Sequence, residues 1–142
     1  MPTKKEEKFI LLYLAWLVAI TATLGSLYFS EIEKFTPCVL CWYQRVLMYP
    51  LVLILLVGLI KKDRKVADYG LALAIPGWLL ALYHNISIWM AGGTGFKPLI
   101  CSLGVSCQET YINWFGFITI PLLSFAAFTV IILSLAVLRK SK

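Results

Sequence analysis

The chain has 142 residues, 61% of them hydrophobic and 14% charged, with a formal net charge of +6. So little polar surface excludes a water-soluble globule. The cations bracket apolar runs instead of clustering on a folded face, which excludes a nucleic-acid patch as the source of the basic excess.

In chain order, Lys4, Lys5 and Lys8 precede a first apolar run at 9–30. Signal-peptide cores span about 7 to 15 residues, so this longer run reads as a retained helix. A short outer segment, 31–37, leads into a second run, 38–60, whose single charge is Arg45. Lys61, Lys62, Arg64 and Lys65 separate it from a third run, 69–90. The stretch 91–113 contains Gly92, Gly93, Gly95 and Pro98, a loop composition, and a fourth run at 114–138 ends in Arg139, Lys140 and Lys142.

Each run approaches or exceeds the roughly 20 residues a helix needs to cross hydrocarbon, and none alternates as a barrel strand would. The predicted class is an all-α membrane protein. Only Lys34 and Lys97 stand on the side opposite the cation groups, so the charge pattern predicts that both termini are cytoplasmic. Short connections make neighbours antiparallel, predicting an up-down-up-down bundle of four helices as one transmembrane domain over 1–142.

All four cysteines fall in or beside the two outer segments, as Cys38-Val39-Leu40-Cys41 and as Cys101 and Cys107. An oxidising outer compartment and the close spacing favour disulfides Cys38–Cys41 and Cys101–Cys107, although four cysteines allow three pairings and spacing alone does not choose. So short a loop contributes little chain entropy, which makes reactivity the better reason for the first pair. Pro37 suits a helix start and puts Cys38 to Cys41 in the first turn, where backbone amides favour a thiolate. Arg45 lies at i+4 from Cys41, on the same helical face, where a cation can hold a thiolate or the charge on a reduced acceptor. The competing reading is that Arg45 snorkels to the interface.

The remaining polar residues give weaker signals. His84, the only histidine, falls in the outward half of the third run and is a candidate to hydrogen-bond an acceptor oxygen or relay a proton; a satisfied core histidine is the alternative. Gln44 is a candidate for the same acceptor, or a solvated residue near a helix end. Glu109 reads as a cap of the fourth helix, and Trp42, Tyr43, Tyr111 and Trp114 as an interfacial aromatic belt. Pro76-Gly77 and Pro121 read as helix kinks.

Pro37-Cys38-Val39-Leu40-Cys41-Trp42-Tyr43-Gln44-Arg45 resembles the P-C-x-L-C-x-x-x-R signature of the DsbB family of membrane disulfide oxidoreductases. Cys107-Gln108-Glu109, then Phe115-Gly116 and Pro121, is similar to that family's passage from its last cysteine into its final helix. The close spacing of Cys101 and Cys107 looks more like the BdbC branch of Gram-positive bacteria than the long-loop members.

The resemblance implies a thiol:quinone oxidoreductase of the bacterial cytoplasmic membrane. Its partner would be a DsbA- or BdbD-like thioredoxin-fold thiol oxidase that delivers disulfides to secreted proteins. Cys38, Cys41, Cys101 and Cys107 would be catalytic, and Arg45, Gln44 and His84 would contact ubiquinone or menaquinone. The absence of flavin, nicotinamide and haem motifs agrees with an oxidant reached from lipid. The alternatives are a non-catalytic membrane protein with structural disulfides and a cysteine zinc site. A relative of vitamin K epoxide reductase fits less well, because there the loop cysteines precede the C-x-x-C.

Overall fold

The computed structural model describes residues 3–34, 38–94 and 120–141. Within them lie four helices: α1 (Lys4–Glu31), α2 (Val39–Lys61), α3 (Val66–Thr94) and α4 (Ile120–Lys140). Each contains a stretch long and apolar enough to cross a membrane.

Four boundaries differ clearly from expectation, for one physical reason. Apolarity marks where a span leaves hydrocarbon, whereas hydrogen bonding decides where a helix ends. α1 therefore begins before 9, with a polar first turn in which the Glu6 carboxylate accepts the Thr3 amide N–H at 3.1 Å. α3 starts at Val66, not 69, and continues through 91–94, which had been expected to open the outer connection. Gly92 and Gly93 cost about 1 kcal/mol each relative to alanine, which weakens a helix without breaking it. α4 runs past 138 to Lys140, while its expected start at 114 lies outside the described residues.

The α2–α3 turn is built by local polar chemistry. Lys62 adopts the left-handed conformation with φ 53° and closes α2, and the Asp63 carboxylate accepts the Lys65 amide at 2.9 Å.

α1 packs on α2 and α4, and α3 packs on the same two helices, so the four close a ring. Contacts join helix starts to neighbouring ends. Lys8 Nζ donates to the Ser141 carbonyl at 2.6 Å, Arg139 Nε meets Asp68 Oδ1 at 3.1 Å, and Asn85 Nδ2 donates to the Pro121 carbonyl at 2.9 Å. One end of the bundle thus collects the starts of α1 and α3, and the other the starts of α2 and α4.

Inward positions recur every three or four residues: Leu12, Ala15 and Ala19 on α1, and Phe128, Ile131, Leu135 and Leu138 on α4. Leu24, Leu53, Ile60 and Leu133 point outward. Between lipid-embedded helices burial brings no hydrophobic gain, so close approach must supply the attraction. Small residues provide it. A Cβ on Gly70 would stand 2.7 Å from a Leu135 methyl, and one on Gly77 would fall into the Phe128 ring. The Pro76-Gly77 step, expected only as a kink, is therefore a helix–helix contact. Beside it Trp78 Nε1 donates to Thr129 Oγ1 at 3.0 Å.

Candidate active site

The end of the bundle that holds the start of α2 contains most of the buried polar side chains. Cys38 is the N-cap of α2, with extended backbone (φ −73°, ψ 170°), and its carbonyl accepts the Trp42 amide at 3.1 Å. Cys41 sits in the first turn, as expected. The i, i+3 spacing at a helix start brings the two sulfurs to 3.3 Å, as a dithiol. Cys38 is buried against Leu40 and Leu80, whereas Cys41 is half-buried.

His84 reaches across from α3. Its Nε2 lies 3.8 Å from Cys38 Sγ, and its Nδ1 lies 3.4 Å from the Gln44 side-chain nitrogen. Gln44 and His84 are 6% and 1% exposed, too closed for water to satisfy either. With the Gln44 amide nitrogen donating, Nδ1 accepts and the ring proton sits on Nε2, directed at the Cys38 sulfur. Gln44, His84 and Cys38 thus form one buried chain of polar groups.

Cys38 lies just ahead of the spanning segment Val39–Lys61. Its thiol is held well below the ordinary range, chiefly by the hydrogen bond from Cys41; burial opposes this, and the His84 contact adds to the lowering. A stabilised thiolate is the better leaving group in disulfide exchange.

Arg45 turns toward α1. A guanidinium N–H donates to the Ser26 carbonyl at 2.9 Å, and the guanidinium carbon lies 5.7 Å from the centre of the Trp42 ring. Near the C-terminal end of a helix, a carbonyl carries the negative end of the peptide dipoles, which suits a cation. Trp42 and Tyr43 are exposed, as an interfacial belt requires. Cys101, Cys107, Gln108, Glu109, Tyr111 and Trp114 lie outside the described residues.

The contact of His84 with Cys38 was not read from the sequence, although a signal existed. Gln44 and His84 are polar residues at matching depth in adjacent apolar spans, and such groups must find partners inside the bundle. The Ser26 carbonyl had no signal, because every residue has one. Asn85, also missed, donates to the Ala81 carbonyl at 2.8 Å as well as to Pro121, fixing α3 to α4 one residue past His84.

A dithiol with one buried and one half-buried sulfur, at the start of a long apolar helix and with a histidine beside Cys38, has the chemistry of a membrane protein of thiol–disulfide exchange. Comparison with known proteins agrees. The family model described as "Disulfide bond formation protein DsbB" matches residues 7–138. "Disulfide bond formation protein C" of Bacillus subtilis (strain 168) is 50% identical over 137 residues, covering 96% of this chain and 98% of that protein. "Probable disulfide formation protein C" of Halalkalibacterium halodurans is 50% identical over 139 residues, covering 97% and 98%. No solved structure matches. The chain belongs to the DsbB family, and it is a multi-pass membrane disulfide oxidoreductase.

Proposed function

We propose that this protein reoxidises an extracytoplasmic thioredoxin-like thiol oxidase and delivers the electrons to a membrane quinone, supporting disulfide formation in secreted proteins. The whole chain acts as one domain of the bacterial cytoplasmic membrane, with both termini in the cytoplasm. The observation that carries this reading is the Cys38–Cys41 dithiol at a helix start, 3.3 Å between sulfurs, at the end of the bundle where α4 also starts.

The relay begins with the partner's thiolate attacking Cys101 of the Cys101–Cys107 disulfide, with Cys107 as leaving group. The partner's second thiol resolves the mixed disulfide and departs oxidised. Cys107 then attacks Cys38 of the Cys38–Cys41 disulfide, and Cys41 leaves as a thiolate. Attack of Cys101 on Cys107 restores the loop disulfide and expels Cys38, whose sulfur receives the His84 Nε2 proton contact. Two electrons now reside in the Cys38–Cys41 dithiol, and Cys101–Cys107 is ready for another partner.

A quinone, when bound, supplies the two-electron oxidant for that dithiol. The residues fit such a group: Cys41 is half-buried rather than sealed, the exposed Trp42 and Tyr43 flank it, and Arg45 is the cation on that side. Arg45 would hold a quinone oxygen. Gln44 and His84, both closed off by burial, act on the Cys38 sulfur behind it.

The test mixes the oxidised protein with a reduced thioredoxin-like oxidase and either ubiquinone or menaquinone. Quinol should appear in step with partner oxidation. Partner oxidation without quinol would overturn the acceptor, and no partner oxidation would overturn the reading as a whole.

A further inference from the structure

The Cys38 and Cys41 sulfurs and a His84 ring nitrogen all lie within 4.8 Å of one another. We propose that in the reduced protein these three side chains bind one zinc ion, and that formation of the Cys38–Cys41 disulfide expels it. The bound ion holds the dithiol reduced and idle, so zinc outside the cell becomes an inhibitor of the relay that acts only on its reduced state.

The distances favour a tetrahedral d10 ion. Zinc–sulfur bonds of about 2.3 Å and zinc–nitrogen bonds of about 2.0–2.1 Å give tetrahedral edges of roughly 3.5–3.8 Å. The observed separations are 3.3 Å between the sulfurs and 3.8 Å from Cys38 Sγ to His84 Nε2. Small side-chain adjustments close the site around an ion. Three protein ligands leave one position open, on the side where Cys41 is half-buried.

Charge selects the ion. Two thiolates and a neutral imidazole around a divalent cation sum to zero, and a neutral cluster is the form an apolar surrounding tolerates. A monovalent ion such as Cu(I) would leave a net negative charge among Leu40, Leu80 and the spanning helices. Soft sulfur with imidazole also disfavours magnesium and calcium, which take oxygen ligands.

The support around the histidine fits as well. A metal on Nε2 moves the ring proton to Nδ1, which then needs an acceptor. Gln44 lies 3.4 Å away and supplies one by turning its amide so that Oε1 replaces the nitrogen, a change that leaves its shape unaltered. The proton balance is simple: any S–H proton still on either sulfur leaves as the ion enters, and the metal changes no oxidation state. In the disulfide neither sulfur is a thiolate, so two of three ligands are lost at once.

Zinc binding needs neither quinone nor partner, so its failure leaves the proposed function standing, and failure of the quinone assay leaves the zinc site standing and removes only the inhibition, which rests on the proposed relay. The full chain carrying Cys101→Ser and Cys107→Ser, reconstituted in lipid nanodiscs, isolates the site. The reduced protein, freed of reductant without air, is titrated with Zn2+ against a chromophoric chelator. One equivalent should bind, and none after oxidation of Cys38 and Cys41.

Adding His84→Ala should weaken binding at least 10-fold, and His84→Cys should restore it by replacing one soft ligand with another. Co2+ should give the visible bands of a tetrahedral site together with thiolate charge transfer. No binding by the reduced protein, equal binding after oxidation, or undiminished binding by His84→Ala would each overturn the three-ligand site. Because the comparison of reduced with oxidised protein uses unaltered ligands, it decides even if the His84 variants fail to fold.

Discussion

The two ends of the bundle use polar residues in opposite ways. At the end holding the starts of α1 and α3, the contacts are exposed: the Arg139–Asp68 pair is 65% and 43% accessible, and Lys8 donates to the exposed Ser141 carbonyl. At the other end Gln44, His84 and Cys38 are buried, and Arg45 is half-buried against the Ser26 carbonyl. Exposed partners can be exchanged for water, whereas buried ones cannot. The first end keeps its charges exposed, and the second encloses a connected chain of polar groups.

That contrast can be broken by substitution. The largest effect belongs to Cys38→Ser or Cys41→Ser, each of which should reduce quinone-coupled partner oxidation to background; residual turnover by either would remove the dithiol from the relay. His84→Ala comes next. A hydrogen bond to a charged group contributes about 1.5–3 kcal/mol, so exchange at Cys38 should slow roughly 10- to 100-fold, measured by stopped-flow transfer from the reduced loop pair. An unchanged rate would make His84 a core residue only.

Gly77→Ala tests the packing beneath the site. Alanine gains about 1 kcal/mol of helix propensity, but overpacking a closed core costs about 1–3 kcal/mol. Phe128 is fully buried and has little room to retreat, so the net should be destabilising, read as a lower unfolding midpoint in detergent. The smallest effect is Asp68→Asn, which should shift stability by less than about 1 kcal/mol and leave activity unchanged. A loss there as large as that of His84→Ala would erase the distinction between the two ends.

Much of this architecture is legible in the residues. Four apolar runs announce four helices, and Pro37 ahead of Cys38 announces a helix start that the structure places at Val39. Less was legible where two helices meet. Gly77 read as a kink because its neighbour in the chain is Pro76, and nothing local says that Phe128 lies across from it. Arg45 reads as a partner of Cys41 because both stand on one helical face, and nothing local says that its guanidinium also reaches the Ser26 carbonyl on α1.

The class of protein, the four long apolar helices and the place of Cys38 and Cys41 at the start of the second followed from the sequence alone, because transfer of a helix into lipid depends on the sum of its own residues. The tertiary structure alone decided that His84 faces Cys38, that Gln44 supports His84 and that Arg45 turns to Ser26. Those contacts depend on the rotation and depth of one helix against another, which packing sets jointly across the bundle and no single segment encodes.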